Sequence, residues 1–399
     1  MPTGADDRDL HVLHLPSFYP TRHQPYSGTF FRDWAIALKR AGVKVGIVYV
    51  EGRSLRDLSP SAVREAHFQT TSAEDDGVSV LRLHGWNTLA QWTPGGLVWA
   101  RLTQRAVREY VAQHGVPDLV AAQSATWGGV AALHAKARWH IPYVITEVNT
   151  KFGTGEIRGW QAAISRRCFA GAESVIAISE NLRARLNQFG GARNVALIPC
   201  TVDDSYWTLP ATPRARDPFT FYAQAHLTRR KGIDLLIRAF SRRFRGDATV
   251  RLVIGGDGEA RSELEALVDS ADIRSQVQFL GAIPRDAVRD AMWRANCFVL
   301  PSWSENFGVV LIEALSTGLP VISTRCGGPE DIIQEAVGML LEPGDEAGLA
   351  DALSSMRAGG DRNPETVRAY ARERYGYDAV GAQLRDYYRV VCGGFPRTE

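Results

Sequence analysis

The chain is 399 residues long, which at roughly 150 residues per domain predicts two or three domains and favours two. Its residues are 45% apolar and 23% charged, a globular composition that excludes disorder as the main state. The 46 basic and 44 acidic residues leave a net charge of +2, which excludes the strong field of a DNA-, RNA- or anionic-lipid-binding surface. Lysine stands only at positions 39, 44, 136, 151 and 231; every other basic residue is arginine.

The first predicted element is a strand at His11–Leu15, ending in SFYP. A loop runs to Gly28, and an apolar face carried by Phe30, Phe31, Trp34, Ile36 and Leu38 predicts a helix over Thr29–Arg40. Val43–Val50 follows as a buried strand, and the same rhythm recurs at Asp118–Ala122, Tyr143–Thr146 and Ser174–Ile178 with helical segments between. Alternation of strand and helix predicts a parallel sheet covered on both faces. Prolines cluster with polar residues at Pro210–Pro218, which reads as an inter-domain linker. A second series follows: strands at Phe219–Ala223, Val250–Ile254, Val277–Leu280, Cys297–Leu300 and Pro320–Ser323, with helices over Ile233–Phe240, Ser262–Ser270 and Val309–Ser316. A last helix is expected near Ala379–Val391. The fold expected is α/β, two doubly wound parallel sheets in tandem, with a ligand beyond the carboxyl ends of the strands, between the domains.

The five cysteines, Cys168, Cys200, Cys297, Cys326 and Cys392, form no C-x-x-C and no compact cluster with histidine, so reduced thiols and no structural zinc are expected. MPTGADDRDL has neither a basic n-region nor an apolar h-region, and no apolar run approaches the ~18 residues of a membrane span. A cytoplasmic location is expected.

The chemistry concentrates in PSWSENFGVVLIEALSTGLP, residues 301–320. Glu305 lies in a loop after a strand, Gly308 opens a helix, and Glu313 sits just over one turn inside it. Unpaired N–H groups at a helix start attract phosphate, and an acid further along can accept two ribose hydroxyls. A bare Glu-x7-Glu is more often a loop acid plus a solvated helix acid. Here other loops on the same sheet edge join it. Lys231-Gly232 follows the first strand of the second half; GGDGEAR at 255–261, FLGAIPRDAV at 279–288 and TRCGGPEDI at 324–332 follow later ones.

These segments resemble the donor domain of family 4 glycosyltransferases, retaining enzymes of GT-B fold, and PSFYPTRHQPYSGTFFRDWAIALKRAGVKV and IPYVITEVNTKF in the first half resemble them too. The resemblance implies an acceptor domain over 1–209, a linker over 210–218, a nucleotide-sugar domain over 219–378, and a helix over 379–399 returning to the first domain. It also implies roles. Glu313 holds the ribose and Glu305 contacts the donor sugar and stabilises the reacting centre. Asn306, Phe307, Gly308, Val309 and Val310 offer contacts to sugar and diphosphate. Lys231 neutralises the departing diphosphate, with His226 and Arg230 beside it. Gly255 lines the site, Ala282 and Ile283 flank the base, and Gly28 approaches the diphosphate from the first domain. No cofactor is implied, since the nucleotide sugar, a UDP-sugar by expectation, is a co-substrate. The single Asp-x-Asp is Asp7/Asp9, so metal-independent transfer is expected.

Three positions depart from the family pattern. Val148 replaces the histidine that usually follows Thr-Glu, with Asn149 as the polar neighbour; His226 replaces the arginine five residues before the lysine; and Cys200-Thr201-Val202-Asp203 replaces Asn-Gly-Val-Asp. On the acceptor side the candidates are Tyr19, Trp127, Val148 and Asn149, with His14, His23 and His84 as candidate bases. The tract from Trp86 to Trp99 is open to two readings, a peripheral lipid contact or a loop followed by a buried helix. The expected activity is transfer of a sugar from a nucleoside diphosphate to a hydroxyl of a glycan, a lipid-linked or a small-molecule acceptor. The alternatives are a nucleotide-sugar 2-epimerase and a nucleotide-sugar-binding pseudoenzyme.

Overall fold

The computed structural model describes residues 10–21, 27–53, 59, 67–86, 93–359 and 362–393. They fall into two compact units. One holds the described residues up to Ile178 together with Leu182–Cys200 and the segment from Tyr377; the other holds Ser179–Asn181 and Thr201–Gly376.

The first unit is built on eight strands: β1 (His11–Pro16), β2 (Lys44–Arg53), β3 (Thr70–Asp75), β4 (Val78–Trp86), β5 (Leu119–Gln123), β6 (Tyr143–Glu147), β7 (Ser174–Ala177) and β8 (Val195–Leu197), in the order β3-β4-β2-β1-β5-β6-β7-β8. β1 is central because every one of its residues is buried, and it pairs in parallel with β2 and with β5. The strand order reverses between β1 and β5, so their carboxyl ends flank a topological switch point. The purely parallel sheet expected from sequence is corrected at one edge, where β3 runs antiparallel to β4. An Asp76-Gly77 turn with both residues at positive φ joins them, the turn that matches the twist of a hairpin. Helix Tyr377–Gly393 belongs to this unit and packs on helix Thr29–Arg40, where the Tyr377 hydroxyl donates to the buried Asp33 carboxylate at 2.8 Å.

The second unit is a six-stranded parallel sheet of β9 (Phe219–Gln224), β10 (Val250–Gly255), β11 (Val277–Gly281), β12 (Cys297–Leu300), β13 (Val321–Thr324) and β14 (Gly338–Leu341), in the order β11-β10-β9-β12-β13-β14. Phe219, Phe221, Phe240, Phe244 and Leu353 fill the core between this sheet and helices Ile233–Phe244 and Glu346–Ala358. Order reverses between β9 and β12, so the loops leaving these two strands meet at the second switch point. The chain enters and leaves this unit side by side: Val202 bridges Gly376, and the Thr201 hydroxyl donates to the Tyr375 carbonyl at 2.8 Å. Pro210–Pro218 lies inside the unit.

Candidate donor and acceptor sites

In the second unit the loop after β9 closes in a short 3-10 turn, Arg229–Lys231, and the loop after β12 carries Glu305. The Lys231 ammonium donates to Glu305 Oε1, and the two side chains are only 17% and 10% exposed. The same carboxylate oxygen accepts the Ser302 hydroxyl at 2.9 Å. Ser302 is fully buried, and its own carbonyl accepts the Thr324 hydroxyl. The Glu305 backbone is held independently of its side chain: its N–H donates to the Cys326 carbonyl at 3.1 Å, and the residue bridges Gly327. The Trp303 N–H donates to the Arg230 carbonyl at 2.8 Å. The loops leaving β9, β12 and β13 are thus tied to one another around a single Lys–Glu pair. Burial pushes the Cys326 thiol beside this pair up to about 11, so it is a neutral thiol near pH 7.

The helix that follows, Val309–Ser316, starts from Gly308 at φ 99°, and no side chain caps its first turn. The left-handed backbone turns the chain sharply at the loop-to-helix junction, a conformation costly for any residue with a Cβ. Phe307 is buried and meets Tyr375 edge-on at 5.9 Å. Gly328 of the next loop lies flat against Phe307, where a Cβ would stand 2.3 Å from the Phe307 Cα. Asn306 and Val310 flank this start, and Glu313 is half-buried one turn further on. Glu313 adds to burial in pushing the Tyr222 hydroxyl above its ordinary range.

The structure therefore brings Lys231, Glu305 and residues 306–310 together at the β9/β12 switch point. Gly255 ends β10, while Ala282 and Ile283 follow β11, further along the same edge. His226 is exposed, and its Nδ1 donates to the Asp257 carbonyl at 2.8 Å. Arg230 is half-buried, and Arg229 is spent on Glu263 at 3.1 Å.

In the first unit Gly28, at φ 73°, precedes helix Thr29–Arg40. Tyr19 is 2% exposed, and its hydroxyl donates to Asp75 at 2.8 Å. There it anchors the loop after β1. Burial opposes ionisation of Asp75, but hydrogen bonds from Arg32 and Tyr19 outweigh it and hold the carboxyl below its usual range. Trp127 stands on a π-helix, Ser124–Gly129, at the end of β5, between Trp99 at 5.9 Å and Trp160 at 6.5 Å. Val148 is half-buried, and Asn149 turns its side-chain oxygen to cap the next helix, accepting from the Lys151 N–H at 3.0 Å. His14 is buried, which excludes it as a solvent-facing base, and His84 lies 3.7 Å from Glu51. His23 and Trp92 lie outside the described residues, while Trp99 is buried in helix Thr93–His114.

Two residues that hold the sites were not anticipated. Ser302 positions Glu305, and its only sequence signal is its place three residues before that glutamate. Glu147, wholly buried, accepts the N–H groups of Ala125, Val148 and Asn149 at 2.9–3.0 Å, which ties the ends of β5 and β6 together. Burial pushes its carboxyl up against the pull of these donors.

Sequence models described as "Glycosyltransferase Family 4" and "Glycosyl transferases group 1" match residues 27–206 and 209–374. The chain is similar to the phosphatidylinositol N-acetylglucosaminyltransferase gpi3 subunit of Schizosaccharomyces pombe, at 32% identity over 53% of this chain and 46% of that protein. It thus spans about half the length of that relative. It is also similar to the putative teichuronic acid biosynthesis glycosyltransferase TuaC of Bacillus subtilis, at 26% identity over 86% of this chain and 88% of that one. Among solved structures, HepE of Anabaena in complex with UDP superposes with a TM-score of 0.72 at 18% identity, covering 95% of this chain and 99% of that one, a likeness of fold. With two sheets of Rossmann-like order and both family models in tandem, the chain belongs to the family 4 glycosyltransferases and has their GT-B fold.

Proposed function

We propose that the chain is a retaining, metal-independent glycosyltransferase that moves a sugar from a nucleoside diphosphate, UDP first among the candidates, to an acceptor hydroxyl. The half-buried Lys231–Glu305 pair at the β9/β12 switch point, beside the uncapped helix start at Gly308, carries this reading. Breaking the bond from the anomeric carbon to the diphosphate builds positive charge on carbon and negative charge on the leaving oxygens. A preset cation and N–H dipoles on the leaving side stabilise that charge without reorganising. Lys231 supplies the first and the start of helix Val309–Ser316 the second. Glu305 faces the sugar, Glu313 takes the ribose hydroxyls, and Ala282 and Ile283 flank the base. The acceptor oxygen bonds to the anomeric carbon on the face the diphosphate leaves, and its proton passes to a diphosphate oxygen.

Both named relatives above act on glycan or lipid-linked substrates according to their descriptions, which supports a glycan or glycolipid acceptor over a free amino acid or nucleic acid. No helix among the described residues is long and apolar enough to cross a membrane. A panel of UDP-, GDP-, ADP- and dTDP-sugars read by thermal shift identifies the donor, and NMR of the product reads its anomeric configuration. Stabilisation by one nucleotide series, a retained anomer, and activity lost in Glu305→Gln are expected. An inverted product, or full activity in Glu305→Gln, sinks the proposal.

A further inference from the structure

Lys231 and Glu305 serve opposite ends of the same donor in the reading above, yet without a ligand they serve each other. The Lys231 ammonium is bound to the carboxylate, and both side chains are largely out of water. A diphosphate entering this edge therefore meets a cation already neutralised and a carboxylate that repels it. The two partners are not held alike. Glu305 is fixed two ways that do not involve Lys231: its side chain by Ser302, and its backbone by the bridge to Gly327, in which its N–H donates to the Cys326 carbonyl. Lys231 ends a three-residue turn and reaches Glu305 through a flexible four-carbon stem. When the pair separates, the lysine moves and the glutamate stays.

We propose that Lys231 and Glu305 are exchange partners: the donor's diphosphate takes Lys231 from Glu305, and only then does the Ser302-held carboxylate become free to face the donor sugar. The exchange rests on the donor-site reading and adds a regulation to it. In the resting protein the acid is masked, so the reactive arrangement forms only around a bound diphosphate.

The test is titration calorimetry of the full chain with UDP, GDP, ADP and dTDP. Failure of all four to bind overturns the donor-site reading itself. With a nucleotide that binds, Glu305→Gln is expected to tighten its Kd about tenfold, since the lysine is released and the repelling charge removed. A folded Glu305→Gln protein with unchanged or weaker affinity overturns the exchange and leaves the donor site standing. The unaltered protein provides a second readout that does not depend on the Glu305→Gln protein folding. Its five lysines yield five Nζ signals in a lysine-labelled 15N spectrum, with Lys231 identified by the signal missing in Lys231→Arg. The Lys231 signal is expected to move when the nucleotide saturates the protein. A Lys231 signal that stays in place at saturation overturns the exchange.

Discussion

At the scale of single residues, the edge of the second sheet around Lys231 and Glu305 separates groups that carry charge from groups that aim it. Ser302 has no charge and no exposure, but its hydroxyl holds the oxygen of Glu305 that Lys231 also contacts. Ser302→Ala removes one buried hydrogen bond, worth about 1 kcal/mol of stability. Its larger effect is on geometry, because a carboxylate misplaced by a fraction of an ångström slows reaction about 10- to 100-fold. Steady-state kinetics should show kcat falling with KM little changed; a normal kcat in the folded variant would remove Ser302 from the site. Lys231 and His226 make a second contrast. Lys231 is half-buried in the pair, while His226 is exposed and bonded to the Asp257 carbonyl of the loop after β10. Lys231→Ala is expected to lower kcat/KM at least about 100-fold, as loss of a preset transition-state contact does. His226→Ala is expected to stay within about threefold, as surface changes usually do. Equal, small losses would show that the diphosphate lies elsewhere.

At the scale of elements, the close approach of two loops decides how firmly the site is held. Gly328 presses on the backbone of Phe307, and an added Cβ would meet main-chain atoms that have no rotamer to escape into. Gly328→Ala should cost about 1–3 kcal/mol, lower the melting temperature and displace Asn306–Gly308 with it; a variant with unchanged melting and activity would mean that the loops part freely. This contact was not legible in the sequence, where Gly327-Gly328 reads only as a glycine pair after a strand. What was legible followed from burial. Cys297–Leu300 and helices Thr29–Arg40 and Val309–Ser316 appear at the bounds read from the sequence, the strand as four consecutive buried apolar residues and each helix directly after a left-handed glycine, Gly28 or Gly308. β3 escaped because TTSAED is a polar, largely exposed edge strand with no apolar run, although its Asp76-Gly77 turn was there to be read. Ser302 and Glu147 escaped for a different reason: a buried polar residue is recognised by its partners, and those partners come from other strands. The bond from the Tyr19 hydroxyl to Asp75 was hidden in the same way, since its partner comes from a distant strand.

At the scale of the whole molecule, a near-neutral charge hides an uneven response to pH. β1, the central strand of the first sheet, carries His11 and His14, and burial lowers both to about 4, with Lys44 lowering His11 further. His14 accepts from the Gln123 amide at Nδ1, 3.2 Å away, and its Nε2 has no partner among the described residues, so the ring is neutral and enclosed. An unfolded histidine titrates near 6.5, well above these values. Between about 6.5 and 4 the unfolded chain therefore takes up protons that the folded chain refuses. The sign follows directly: the stability is fully present above 6.5 and is lost progressively as pH falls towards 4. Each histidine contributes about 2 kcal/mol of loss by pH 5. Glu147, raised by burial, acts in the opposite sense, so the total slope alone does not isolate the histidines. His14→Phe does, because it removes one titrating group and changes no other. Urea midpoints measured from pH 7.5 to pH 5 should fall less steeply in the variant, so that it gains about 2 kcal/mol on the natural protein across the range. Parallel curves would mean that His14 takes up its proton in the folded state, which would require β1 and β5 to open at their carboxyl ends where the first switch point lies.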